Sequence, residues 1–381
     1  MIQNPETTSV AVIGCGFVAD LYMATLPGLT GVRIAGVFDI DAARLQVFTS
    51  HYGLTAYSSL DQLLADEQVT LVINLTNPRA HFEVSRQCLA AGKHVYSEKP
   101  LAMELRDAQA LVDLAAQRDL QISSAPCSLM SDAAQTLWHA VRTRPLGDIR
   151  LVYAELDDGM VHRMQYRKWV SATGAPWPYK DEFEVGCTLE HAGYYLGWLI
   201  AMFGAVTTVT AFADCLYPEK LRGETLIPPD APDMSIGVLK FESGVVARLS
   251  TTIVAPHDHR IRLFGEGGVI EMDDCWFNDA PVYLRHSHTI RRKTFLSPLR
   301  RRYRAPRRPQ RGAATFGAAR MDFCLGIGDM LAAIRDNRDP YLSGQFSLHV
   351  NEVALALSNA SRHPGIYRTT TRFVPPRPLL P

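Results

Sequence analysis

The sequence predicts an α/β protein in two parts: a doubly wound domain with a parallel sheet over residues 1–126, then a second α/β domain with antiparallel strands over 127–381. Three observations predict it. Short β-branched runs alternate with helical stretches between residues 9 and 97, the pattern of a parallel sheet covered on both faces. The first run feeds directly into Gly14-Cys15-Gly16-Phe17-Val18-Ala19. Beyond Pro126, strand-like runs are joined by turns such as Glu242-Ser243-Gly244 and Gly265-Glu266-Gly267-Gly268, which implies antiparallel pairing.

The opening run, 9–13, is too short for a helix, and with the glycine loop it reads as strand followed by GxGxxA. In a dinucleotide site the first glycine makes the tight turn and the second lets the backbone approach the pyrophosphate. The small third residue packs helix on strand, and the pyrophosphate sits on the helix N-terminus, whose amides and dipole favour an anion. A second pair, Gly326 and Gly328, lies inside a helical pattern with no strand before it and is not read as such a loop.

A helix over 18–26 is followed by a strand over 32–38 that ends at Asp39, twenty residues beyond Ala19. A carboxylate there meets the ribose hydroxyls and would repel a 2′-phosphate, so NAD(H) is expected, with NADP(H) kept open by Arg44. The alternation continues with a helix over 41–52, a strand over 54–57, a helix after Ser58, a strand over 69–75, a helix over 79–91 and a strand over 94–97. The loops that begin at Gly14, Asp39, Thr76 and Glu98 therefore converge on the carboxyl edge of the sheet, where ligands bind. Pro100 disfavours helical geometry at Lys99 and keeps it extended at that edge, where its ammonium can meet the oxygen of a substrate alcohol or carbonyl.

The chain is electrically neutral, with 39 bases and 39 acids, but twelve of the bases and none of the acids fall within 285–320. The prolines at 298, 306 and 309 forbid a continuous helix there, so this basic arm reads as an extended arm or surface loop. Its aromatics, Phe295 and Tyr303, are too sparse for a base-stacking platform, which argues against nucleic acid. No run approaches a membrane span, and the polar start, MIQNPETTS, lacks the features of a secretory leader. Seven scattered cysteines never reach CxxC spacing. These features lead to the expectation of a soluble, cytoplasmic protein.

In the second part a helix is expected over 133–141 and strands over 149–155, 206–213, 235–241, 245–253, 260–264 and 269–272, with helices over 321–335 and 347–360 closing the chain. Between the first two strands lies a long loop containing MVHRMQYRKWV and APWPYK, and after it the segment GCTLEHAGYYLGWLIAMFG. Leu189, Ala192, Leu196, Leu199 and Phe203 recur at helical spacing as its buried stripe. Glu190 shares a face with Tyr194, and His191 with Tyr195, and periodicity alone does not choose between the pairs.

GCGFVA, TNPRAH at Thr76 to His81, AGKHVYSEKPLA at Ala91 to Ala102 and this helix resemble the glucose-fructose oxidoreductase, inositol dehydrogenase and MocA family, over nearly the whole chain. The resemblance implies a Rossmann domain followed by an α/β domain with a large, mainly antiparallel sheet that often builds oligomers, here a dimer or tetramer. It implies an NAD(H)-dependent oxidoreductase acting on a secondary alcohol or ketone of a sugar-like or cyclitol-like substrate. With the loop reading, it nominates Gly14, Gly16, Phe17, Val18, Asp39, Thr76, Asn77, His81, Glu98 and Lys99 for the cofactor.

The family's usual Asp-x-Gly-x-His stands here as Glu190-His191-Ala192-Gly193-Tyr194. Tyrosine at the histidine position resembles the glucose-fructose oxidoreductase subgroup, where it is taken as the proton donor; glutamate for aspartate and alanine for glycine depart from the pattern. Lys99 and Tyr194 are therefore expected to handle the proton, an ammonium beside a phenol favouring the phenolate. Glu190 would orient a hydroxyl or partner side chain, and His191 is a further catalytic candidate, able to take over a role where the segment departs from the family pattern. Asp157, Asp158, His162, Arg163 and Lys180 are further candidates for binding hydroxyls. His257-Asp258-His259 offers two imidazoles on one side of a strand, but no HExxH-like partner accompanies it, so no metal is expected. Two other readings stay open: a redox-neutral enzyme that oxidises a sugar transiently to eliminate, hydrolyse or epimerise, and a nonenzymatic cofactor-binding regulator.

Overall fold

The computed structural model describes residues 7–221, 226–228, 231–306 and 321–381. The chain divides into two compact units. The first comprises residues 1–127, 165–181 and 323–351; the second comprises 128–164, 182–322 and 352–381.

The first unit holds a five-stranded sheet of β1 (Thr8–Ile13), β2 (Val32–Phe38), β3 (Val69–Asn74), β4 (His94–Ser97) and β5 (Ile122–Ser124) in the order β2-β1-β3-β4-β5. Every pairing in it is parallel. Because side chains alternate across a strand, Val10, Val12, Leu71 and Ile73 enter one apolar cluster while Ala11, Ile13 and Val72 enter another. Both faces are thus buried, as a parallel sheet requires. The helix Leu325–Arg335 contributes Ile327, Met330 and Leu331 to the first cluster, and its Gly326 brings the backbone against Tyr96. The second glycine pair is therefore a helix-packing feature.

The strand expected over 54–57 does not form. Ala56 makes only a lone parallel bridge to Val37. Gly53, at φ 66°, ends the preceding helix Ala42–Tyr52, and the Ser59 hydroxyl caps the helix Leu60–Ala65, leaving too little chain for a ladder. The helix Leu105–Gln117 and β5 extend the alternation beyond residue 97. Asp41 is not the first helical residue but the cap, accepting from the amides of Ala43 and Arg44.

The second unit is built on a ten-stranded sheet. Its strands are β6 (Leu151–Asp157), β7 (Val206–Asp214), β8 (Met234–Phe241), β9 (Val246–Thr252), β10 (Ile261–Gly265), β11 (Gly268–Met272), β12 (Val282–Ile290), β13 (Lys293–Leu296), β14 (Arg301–Arg302) and β15 (Tyr367–Arg368). The path runs β13-β12-β11-β10-β6-β9-β8-β7-β15, with β14 on β12. All pairs are antiparallel except β6 with β9. The described part of the basic arm is extended: β12 and β13 form a hairpin turning at Arg291, φ 56°. Residues 307–320 lie outside the described residues. The β9 side of the sheet is covered by the helix Cys187–Phe203, which is buried on nearly every side. The C-terminal stretch is tied down by Glu352, whose carboxylate accepts from the amides and hydroxyls of Thr370 and Thr371 and from the Tyr367 hydroxyl.

Candidate active site

In the first unit the carboxyl edge of the sheet assembles the glycine loop. Gly14 adopts φ +96°, and a Cβ there would lie 2.5 Å from the carbonyl oxygen of Leu75, so the turn and the close approach to β3 both require glycine. A Cβ on Gly16 would meet nothing within 4 Å, and Gly16 starts the helix Phe17–Met23 with no side-chain cap. The backbone at Gly16 is thus open to an incoming group and its neighbouring amides are available to a pyrophosphate. Gly16, Phe17 and Val18 are all partly exposed.

Asp39 closes this loop: one carboxylate oxygen accepts from the Cys15 amide at 2.7 Å and the other from the Asp41 amide at 2.8 Å. A carboxylate offers about four lone-pair directions, so capacity remains for ribose hydroxyls. Beside it Ile40 is 94% exposed, an apolar side chain at the edge that no linear motif reports. Arg44 donates from Nε to the Cys15 carbonyl at 2.7 Å and from Nη1 to the Thr173 carbonyl at 3.1 Å. Its guanidinium is committed to the backbone of the first unit, and it is not the solvated helix charge that its position suggests.

The Thr76 loop is braced rather than open throughout. His81 is fully buried, with Nδ1 2.7 Å from the Pro100 carbonyl and Nε2 2.9 Å from the Thr76 carbonyl. It ties the third loop to the EKP turn. Glu98, also buried, accepts from the Tyr22 hydroxyl at 2.7 Å and from the Lys99 amide at 3.0 Å, so its carboxylate positions Lys99 from beneath. Asn77 is exposed and donates to Asp181 at 2.8 Å. That bond belongs to a feature the linear pattern hides: residues 165–181, inside the long loop, form a strap within the first unit. Its middle is held by Asp20, one turn into the helix after the glycine loop, whose Oδ2 accepts from the Thr173 amide at 3.0 Å and hydroxyl at 2.7 Å. Burial works against the Asp20 charge, but hydrogen bonds from Ser171, Thr173 and Tyr52 outweigh it and hold the carboxyl below its ordinary range.

In the second unit the four polar residues of the helix separate. Tyr195 is fully buried and its hydroxyl donates to the His259 carbonyl, which makes it a structural brace. Glu190 is buried at 3% exposure. His191 places Nε2 3.7 Å from Asp158 Oδ2. The Tyr194 ring stacks on Trp276 with centroids 5.4 Å apart and planes at 16°, and Trp276 stacks in turn with His259 at 5.5 Å and 17°. Sequence reasoning missed Trp276 and Asp274, which lie in a short connection after β11 with no periodic or motif signal.

The expected alternation of His257 and His259 holds, their ring centroids being 4.0 Å apart. The carboxylate that joins them differs from the neighbour in sequence. Asp258 turns to Arg260, whose Nε donates to it at 2.8 Å, whereas Asp158 Oδ1 lies 3.4 Å from His259 Nε2. Burial of Asp158 opposes its charge, yet His259, His191 and His257 more than offset this and hold the carboxyl below its ordinary range. Of the other candidates, His162 stacks on Tyr217, centroids 4.3 Å apart, and Arg163 directs Nη1 to the Met160 sulfur. Lys180 belongs to the strap in the first unit. A cavity of about 630 Å³ in this unit is lined by Asp132, Thr136, Asp279, Tyr303 and Arg304 among others, and none of the residues around Trp276 lines it.

The open glycine loop and Asp39 at the carboxyl edge of a parallel sheet are the features of a dinucleotide-binding fold. Residues 8–125 match the oxidoreductase family with an NAD-binding Rossmann fold, and residues 134–271 match the C-terminal domain of the same family. The chain belongs to the GFO/IDH/MocA oxidoreductases, enzymes that use NAD. It is 26% identical over 272 residues to an uncharacterised oxidoreductase of Synechocystis sp., covering 70% of this chain and 72% of that one. It is 24% identical over 251 residues to trans-1,2-dihydrobenzene-1,2-diol dehydrogenase of Bos taurus, covering 64% and 67%. In fold it is similar to the aldose-aldose oxidoreductase of Caulobacter crescentus, with a TM-score of 0.74 at 18% identity over 96% of this chain and 100% of that one. No helix among the described residues is long and apolar enough to cross a membrane.

Proposed function

We propose that the protein transfers a hydride between NAD(H) and a secondary alcohol or ketone on a polyhydroxylated, sugar-like or cyclitol-like substrate. The observation that carries this reading is the cluster in which Trp276 meets His191, Tyr194 and His259 while Asp158 lies beside both histidines, five residues from four segments of the second unit. Carboxylate, imidazoles and phenol are the groups that grip and orient hydroxyls, and the indole supplies an apolar wall. The diol dehydrogenase and aldose oxidoreductase relatives support the substrate class.

The open backbone at Gly16 and the carboxylate of Asp39 hold the dinucleotide, with Phe17, Val18, Thr76 and Asn77 around the same edge. When bound, the nicotinamide ring accepts or supplies the hydride. Oxidation of a carbinol also removes the proton from its oxygen, and a placed acid or base contributes about 10²–10⁴-fold to such a step. Lys99, partly exposed at the end of β4 and fixed through its amide by Glu98, is assigned to that oxygen. Tyr194 is assigned to the proton on the substrate side, with His191 and Glu190 orienting hydroxyls. The seven cysteines, all free of disulfides, support a reducing, cytoplasmic setting.

The test is the absorbance of reduced nicotinamide with purified protein, NAD or NADP, and a panel of sugars, cyclitols and vicinal diols, run in both directions with the matching ketones. Turnover on a polyol with NAD is expected. A flat response across the panel in both directions contradicts the reading.

A further inference from the structure

Just beyond the paired ends of β6 and β10, three metal-ligand side chains fall on one side. β6 and β10 pair antiparallel with Ala154 opposite Ile261, and the same register continues to a bridge between Asp157 and Asp258, whose amides and carbonyls exchange hydrogen bonds of 2.9 Å. One step further along that register sets Asp158 opposite His257, and the period of two puts His259 on the same side. The ligand atoms of Asp158, His257 and His259 all lie within 4.8 Å of one another.

We infer that Asp158, His257 and His259 form a binding site for a divalent transition-metal ion of the zinc or cobalt type. Two neutral imidazoles and a carboxylate are a donor set such ions prefer over magnesium or calcium, which take oxygen ligands. Metal–ligand bonds of about 2.0–2.2 Å in a tetrahedron imply donor separations of roughly 3.4 Å, and Asp158 Oδ1 to His259 Nε2 is already 3.4 Å. The third donor closes by rotation of His257, whose side chain is exposed and gives the ion its entry.

The surroundings of His259 point the same way. It is 2% exposed, and neither ring nitrogen makes an aligned hydrogen bond among the described residues. Nε2 is held only by the long 3.4 Å approach to Asp158, and an ion between the two would satisfy it. Asp274 Oδ1 lies 4.0 Å from Nδ1, beyond hydrogen-bond distance, and is the carboxylate nearest the far side of the ring. His259 is further fixed from behind by the Tyr195 hydroxyl on its carbonyl. Three protein donors leave a coordination position for water or for an oxygen of a ligand. Metal binding here does not depend on the proposed substrate class.

The experiment titrates tag-free, chelator-treated full-length protein with Co²⁺ and Zn²⁺, without NAD or substrate, by calorimetry and visible absorption. One ion per chain is expected, with cobalt bands of a four- or five-coordinate site. His257→Ala, an exposed position that leaves the fold intact by its melting curve, and Asp158→Asn should each weaken uptake at least about tenfold. Absence of stoichiometric uptake overturns the site, as does uptake unchanged in the His257→Ala/Asp158→Asn double variant. No metal uptake by a wild-type protein that still binds NADH, followed by nicotinamide fluorescence, and turns over a polyol would sink the metal site alone, whereas metal uptake with a flat substrate panel would sink the oxidoreductase reading alone.

Discussion

The two units build their polar sites by different routes. In the first, each candidate residue follows a strand of a parallel sheet, so the loops after β1, β2, β3 and β4 reach one edge by topology alone. A linear motif reports such a site because each strand end is a fixed address. In the second, Asp158, His191, Tyr194, His257, His259 and Trp276 come together through antiparallel register and helix packing, with no short motif containing more than two of them. A parallel sheet therefore advertises its site in sequence, whereas an antiparallel one discloses it only when the pairing is known.

The largest expected effect sharpens this contrast. Lys99→Met should lower kcat/KM by about 10²–10⁴-fold while NADH affinity, followed by fluorescence, stays within a few-fold. A parallel collapse of NADH binding would make Lys99 a cofactor anchor instead. Gly14→Ala tests the turn: with φ at +96° and the Leu75 carbonyl 2.5 Å from the new Cβ, a loss of roughly 2–4 kcal/mol is expected. It would be read as a melting temperature lowered by several degrees together with weakened NADH binding. Trp276→Leu should act on the other unit only, raising KM for a polyol substrate about tenfold with NADH affinity unchanged. Equal loss of both would break the division of labour.

The smallest effect concerns the strap. Asp20→Asn should cost about 1–3 kcal/mol at pH 7, since it replaces a charged acceptor of the Thr173 amide and hydroxyl. Asp20 has a lowered carboxyl pKa in the fold, so its contribution is present above the ordinary value of about 4 and disappears as pH falls through the folded value. Denaturant melts of the two proteins should therefore differ at pH 7 and converge in acid; a constant difference would remove the charge from the explanation.

How much was legible follows the same division. The alternation, the glycine loop and Asp39 stand where the sequence puts them, because turn chemistry and β-branched runs are local. The expected strand at 54–57 is reduced to a single bridge at Val37 because the helix ending at Gly53 and the one capped by Ser59 leave too little chain between them. The helix Cys187–Phe203 shows the limit of periodicity. Its apolar stripe is buried as expected, but Glu190, Tyr194 and Tyr195 are buried as well, so a 3.6-residue period does not tell brace from chemistry. Only the contacts do: Tyr195 meets a backbone carbonyl and Tyr194 an indole face. Asp158 was a candidate from the sequence, but its place beside His257 and His259 could not be read there, since it is remote in sequence and Asp258, the obvious neighbour, is paired with Arg260.

The most direct test of hydride transfer uses a polyol substrate carrying deuterium on its carbinol carbon, with mass spectrometry of both substrate and cofactor after turnover. Deuterium is expected at C4 of the reduced nicotinamide in stoichiometric step with ketone formed, and almost none with Lys99→Met. Product that forms while the label stays in, or returns to, the carbohydrate would contradict net oxidation and assign the chain to redox-neutral chemistry.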